Sequence, residues 1–229
     1  MNFIYTKSIG YGRQSMILER HMLKQLLKEN ILNIIYVEDL NDYREELLRY
    51  AIHNGSSEYY NQDFIRFGTI YELFEDIFLK DREFLKEAIR KYPPIINGID
   101  SPDKELQVIA VSSDWASADD IHPAESIVPE VVDILSKTSA RLFTRIITKG
   151  GFKKEIINDS HIKNIVERAP NVLTQNSIVQ SMITPELLHN IIYHKETTNK
   201  TLKFIYNKMD ISALSDDDKL YLEITELKG

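Results

Sequence analysis

Apolar residues recur at intervals of three and four along most of this chain, which predicts a succession of short amphipathic helices. From about Arg13, the residues Met16, Ile17, Leu18, Met22, Leu23, Leu26 and Leu27 keep that rhythm with Glu, Arg and Lys in the gaps, so a helix is expected there. Upstream the pattern differs. Phe3-Ile4-Tyr5 reads as a short strand, and Gly10 and Gly12 bracket a turn. The run Ile31–Val37 fits either a buried strand or a helical turn, and periodicity does not separate the two. Asp39 or Asn41 is placed to cap a helix with Tyr43, Leu47, Leu48, Tyr50 and Ala51 on its apolar face. Asn54-Gly55-Ser56-Ser57 ends it.

A further helix is expected over Glu58–Arg66. Thr69 then caps one over Tyr71–Leu79, with Leu73, Phe74, Ile77 and Phe78 inward. Asp81 caps the next, Phe84–Lys91, which Pro93-Pro94 stops. The segments 126–135 (SIVPEVVDIL) and 181–192 (SMITPELLHNII) each place Pro at a helix start with Glu in the first turn. Between them HIKNIVERAPNVL is another short helix ended by Pro170, and Thr201–Met209 is one more. Ser215-Asp216-Asp217-Asp218 is an acidic helix start, while the closing YLEITELK fits helix or strand. The sum is a mainly α chain: an irregular α-solenoid or helical-repeat domain with a small β element near the N-terminus. It divides into an N-terminal helical region, 1–80, and a repeat region, 81–229, in one continuous unit.

The repeat is visible in sequence. Residues 84–105 align with 105–121 at an offset of 21, matching Leu85 with Leu106, Ile89 with Ala110 and Pro94 with Trp115. A unit of that length cannot bury its own apolar face and must stack on neighbours. Residues 100–111 (DSPDKELQVIAV) resemble the short HEAT-like helical repeats written roughly N/S-P-S/D-E-E-V-Q-L-A-A-V. These occur in phage proteins and in some intracellular bacteria, generally without assigned function. The resemblance covers 84–121 and departs from Trp115 onward, where SADDIHPAE replaces the next Pro-Ser-Glu unit. It implies a helical-repeat fold and a viral origin, and carries no catalytic residue across.

Composition narrows the function classes. The chain has 229 residues, no Cys and a net charge of −7. Disulfides and thiolate metal sites are thereby excluded, and a reducing, cytoplasmic setting is expected, the host cytoplasm for a viral protein. No 18-residue apolar run or signal peptide is present, so no membrane partner is expected. Eight Gly in the whole chain argue against Gly-rich phosphate loops. G-x-S-x-G, P-loop, H-E-x-x-H and G-x-G-x-x-G patterns are absent, and no cofactor or metal is implied.

Against this acidic background, 136–168 stands out. It holds Lys137, Arg141, Arg145, Lys149, Lys153, Lys154, Lys163 and Arg168 against Glu155, Asp159 and Glu167, a net of +5. The first four are spaced by four and form one stripe on a continuous helix; if Thr138 or Ser139 starts a new helix, Lys137 leaves the stripe. One reading is a contact face for nucleic acid or an acidic protein. The other is a solvated face paired with Asp133, Glu155 and Asp159. The acidic, aromatic stretch with Tyr59, Tyr60 and Phe64 is a second candidate surface, for protein; ordinary core aromatics with acidic outer faces are the simpler reading. The cluster Asp114, Asp119, Asp120 and His122 offers residue types for acid–base or metal chemistry, though its spacing matches no ligand motif. Turn residues, with Trp115 filling the core, explain that cluster more simply. The six histidines are dispersed and read as structural.

The expected function is a non-enzymatic helical binding protein, an adaptor to or inhibitor of a host or cellular protein complex concerned with defence or nucleic-acid processing. Direct RNA or DNA binding through 137–168 is the alternative. An enzyme using 114–122 is the third.

Overall fold

The structure, a computed structural model, describes residues 2–9, 12–38, 40–56, 64–148, 150 and 154–227. It is 73% helix, with a small antiparallel sheet at the N-terminus. Contacts cluster into two units, Met1–His122 and Pro123–Gly229.

The first unit opens with β1 (Asn2–Ile9), β2 (Gly12–Glu19) and the two-residue β3 (Val37–Glu38), in the order β2-β1-β3. The helix expected from Arg13 begins only at Arg20, as α1 (Arg20–Glu29). Met16, Ile17 and Leu18 keep helical spacing, yet they pair with Tyr5, Ile4 and Phe3 across the sheet. Cross-strand pairing decides the conformation here, and local periodicity does not report it. Phe3, Tyr5 and Leu18 are buried beneath the sheet, whereas Ile4 and Ile17 face outward. The ambiguous Ile31–Val37 resolves into both alternatives: a 3-10 turn over Ile31–Tyr36, then β3.

Next come α2 (Arg44–Asn54), α3 (Phe64–Lys80), α4 (Arg82–Lys91) and α5 (Lys104–Ser113). Thr69 lies inside α3 and caps nothing. Phe74 there has φ −124° and kinks the helix. Leu73, expected inward, is 42% exposed, while Phe67, Ile70, Phe74 and Phe78 are buried. Ring pairs join α3 to α4 and its C-cap: Phe67 on Tyr92 at 5.9 Å and Phe78 on Phe84 at 5.5 Å. Asp81 caps α4 by accepting from the Phe84 N–H at 3.0 Å, and Asp103 caps α5 in the same way. Gly98 lies so close to Gly68 of α3 that a Cβ there would drive into the Gly68 carbonyl.

α4 with the 3-10 turn Pro93–Gly98 recurs as α5 with the turn Trp115–Asp120. Arg82 to Lys104 sets the offset at 22, one residue more than the apolar alignment gives. At that offset the buried quartet Phe84, Leu85, Ala88, Ile89 matches Leu106, Gln107, Ala110, Val111. Gln107 holds an apolar position because its amide donates to the Pro102 carbonyl at 2.7 Å.

The second unit contains α6 (Pro129–Thr138), α7 (Ala140–Thr148), α8 (Asp159–Val166), α9 (Ser177–Met182), α10 (Pro185–Ile192), α11 (Asn199–Lys208) and α12 (Asp216–Leu227). Pro129 and Pro185 begin their helices as expected, and the C-terminal segment is helical. The i, i+1, i+4, i+5 quartet returns as Leu142, Phe143, Ile146, Ile147 in α7 and as Leu187, Leu188, Ile191, Ile192 in α10. Four such positions cover the one arc of a short helix that meets its neighbours. α6 packs on α8, α8 on α10 and α10 on α12; α7 and α11 both meet the 3-10 turn Pro170–Thr174.

Candidate binding groove

The basic window does not form one helix. Ser139 adopts φ −145°, ψ 89°, its N–H closes α6 on the Leu135 carbonyl, and its hydroxyl accepts from the Leu142 N–H. The Ser-Lys-Thr-Ser run favours this break, because short hydroxyl side chains compete for backbone groups. Lys137 is therefore left at the end of α6, where a cation suits the helix dipole. Arg141 and Arg145 remain one turn apart on the exposed face of α7.

Those two arginines line an open groove of about 530 Å³ with Ala140, Thr144 and Thr148 of α7 and with Ala169, Asn171, Val172 and Gln175. Its far wall follows α8 in sequence and is held in place by amide side chains. Asn176 is buried, donates to the Thr148 hydroxyl at 3.0 Å and caps α9 by accepting from Ile178 and Val179. Asn171 donates to the Glu196 carbonyl and accepts from the Thr198 N–H and from the Thr198 and Thr201 hydroxyls. These amides are committed internally. Arg141 has no hydrogen-bond or ion-pair partner among the described residues. The groove thus offers a guanidinium and small apolar patches to a partner.

The other described basic residues of the window do not join it. Lys163 lies 3.9 Å from Glu167 on its own helix, and Arg168 is exposed in the turn after α8. Lys149 and Lys153 lie outside the described residues, as does the side chain of Lys154. Asp133, an expected partner for the stripe, is bonded elsewhere: its carboxylate meets His161 Nε2 at 2.6 Å. The His161 ring is buried, and its Nδ1 accepts from the Asn158 N–H while Asn158 caps α8, so Nε2 carries the proton that Asp133 accepts. His194 is built alike, accepting from the Glu196 N–H and donating to the Glu167 carbonyl. His189 meets the buried Asp218 carboxylate at 3.0 Å. Burial alone raises Asp218, but hydrogen bonds from Ser215, His189 and Tyr193 hold it below the ordinary carboxylate value. These histidines tie together segments close to thirty residues apart. Sequence spacing carries no sign of the individual ties.

Of the proposed protein surface, Tyr59 and Tyr60 lie outside the described residues; the backbone of Phe64 opens α3, and its side chain is likewise outside. In the acidic cluster, Asp114 caps the Trp115–Asp120 turn by accepting from the Ala116 N–H. Trp115 is 46% exposed and does not fill the core. His122 is exposed; its backbone carbonyl accepts from the Ser101 N–H at 2.8 Å. Asp120 is pushed up to about 7, by burial first and by Asp114 second. Among the described residues no three of His, Cys, Asp and Glu are gathered to hold a metal ion, and no helix is long and apolar enough to cross a membrane.

Several acidic residues of the first unit join one helix to another. Glu46 pairs with Arg20 and Lys24 across α1 and α2, and these bonds bring its carboxyl down to about 2. Arg44 meets Asp76 at 2.6 Å, Arg49 meets Asp81 at 2.8 Å, and Lys86 meets Glu105 at 2.8 Å. No protein-family model matches the chain, and comparison with curated proteins and with solved structures gives no match.

Proposed function

We propose that this is a non-enzymatic binding protein in which residues 123–229 form a short helical-repeat stack. The α7 groove takes an acidic segment of a protein partner. The observation that carries the reading is the pair Arg141 and Arg145, one turn apart on the wall of a groove with Ala140, Ala169 and Val172 beside them. The Arg141 guanidinium, unpaired among the described residues and beside small apolar side chains, suits a carboxylate-bearing peptide, by a bidentate hydrogen bond and apolar contact together, and Arg145 adds positive charge to the same wall. Duplex nucleic acid asks for a longer basic track, and the other described cations of 136–168 are outside this groove. The contacts of α6, α8, α10 and α12 in series support the stack. The partner is proposed to be a cellular complex, a host complex for a viral chain.

The test is capture of partners from lysate, with and without nuclease, by the wild type and by Arg141→Glu/Arg145→Glu. A protein retained after nuclease by the wild type and lost by the variant is the expected result. Co-purifying nucleic acid that the variant loses replaces this reading with direct nucleic-acid binding. Equal capture by both proteins overturns the groove.

A further inference from the structure

We propose that the free edge of β2 pairs with β2 of a second copy of this chain, joining two three-stranded sheets into one. β2 is the outer strand in the order β2-β1-β3, and it is paired with β1 along its full length, Gly12–Glu19. In an antiparallel ladder every second residue directs its N–H and C=O away from the neighbouring strand, so an edge strand presents a row of unmet donors and acceptors. No described strand meets that row. β3, at the other edge, is only two residues long.

The side chains identify the occupant. Met16 is 41% exposed and Ile17 is 71% exposed. Ile17 lies opposite Ile4, itself 38% exposed, on the outer face of the sheet. An antiparallel pairing centred on Met16 sets Met16 against Met16 of the second copy and Ser15 against Ile17. It brings the two Ile17 side chains to diagonal positions. The outer face then carries the pair Ile4–Ile17 of one copy diagonally beside Ile17–Ile4 of the other, an apolar patch across the seam. The same register sets Arg13 against Glu19 of the second copy, twice by symmetry. Both residues are exposed; Glu19 meets only His21, at 3.3 Å, among the described ion pairs, and Arg13 has none. The pairing matches residues of equal parity, as the alternation of outward-directed backbone groups requires. A two-fold axis through Met16 satisfies all of these conditions with one patch, the requirement of an isologous interface. Shifting the centre by one residue in either direction removes the Arg13–Glu19 match.

Sedimentation velocity of the full chain, across concentrations up to about 100 μM, reads the result. The wild type is expected to dimerise. Arg13→Glu alone sets two like-charge pairs in the interface and is expected to weaken dimerisation about tenfold, as is Glu19→Arg alone. Arg13→Glu/Glu19→Arg together restores the pairing and is expected to return to within about threefold of the wild type. Ile17→Lys, at an exposed position, is expected to give a folded monomer by circular dichroism. A wild type that stays monomeric overturns the proposal. So does a dimer whose affinity ignores the single charge reversals, or a double variant no tighter than the singles.

Discussion

Replacing Asp120 by Asn removes a carboxyl that the fold holds far from its ordinary state. Burial in the Trp115–Asp120 turn, with Asp114 nearby, lifts Asp120 from 3.8 to about 7. The shift is about 3 pH units, and each unit corresponds to about 1.4 kcal/mol between the protonation states. The full difference is therefore about 4 kcal/mol, nearer 2 after discounting for partial solvent contact. The sign follows from the raised value. Below about pH 4, folded and unfolded chains both carry the proton, and nothing is lost. Between about pH 4 and 7 the unfolded chain releases it first, so the group's stabilising contribution declines as pH rises through that window. Above pH 7 the folded protein holds a half-buried charge at constant cost. Asn carries no such charge. Urea unfolding of wild type and Asp120→Asn at pH 4, 6 and 8 is expected to show the variant gaining relative stability with pH, by about 2 kcal/mol at pH 8. A stability difference constant within about 0.5 kcal/mol across that range would refute the reasoning.

Gly98→Ala is expected to cost about 1–3 kcal/mol, because the new methyl meets the Gly68 carbonyl and comes 2.9 Å from the Tyr71 Cβ, where backbone cannot yield cheaply. A thermal melt then falls by several degrees, and an unchanged midpoint contradicts the close approach. His161→Ala breaks the bond to Asp133, the acceptor for the Asn158 N–H and a buried ring contact with Phe143, so about 2–4 kcal/mol is expected from urea titration. A loss under about 0.5 kcal/mol contradicts the assignment of His161 as a structural tie.

The helix starts and stops that were legible have local causes. Asp81 caps α4, Pro129 and Pro185 occupy first-turn positions, and Pro93-Pro94 ends α4, each through atoms within a few residues. The helix-dominated class, with a β element at the N-terminus, follows from the same signals. The candidate groove was legible by half. Arg141 and Arg145 stand out by charge and spacing, but the opposite wall, Ala169–Gln175, arrives from another part of the chain through the Asn171 and Asn176 bonds.

Tertiary structure alone decided the rest. Met16, Ile17 and Leu18 satisfy helical spacing and become a strand because β1 supplies partners for them. Leu73 turns outward while Phe74, Ile77 and Phe78 stay buried, because the neighbours that α3 meets reach only one side of it. Gln107 and His161 are polar in sequence yet take core positions, since each side chain finds hydrogen-bond partners there: the Pro102 carbonyl for Gln107, and the Asn158 N–H and the Asp133 carboxylate for His161. The sequence by itself determined the helix-rich class and the helix ends set by Asp81, Pro93-Pro94, Pro129 and Pro185, since capping and side-chain period act over one or two turns. It did not determine the others: the helix expected from Arg13 begins at Arg20, Thr69 lies inside α3, and α2 follows Tyr43 rather than Asp39 or Asn41. Which residues face water, which charges stay free and which edge stays open depended on contacts between distant segments. No local pattern encodes these, because their energies come from partners the chain must first fold to meet.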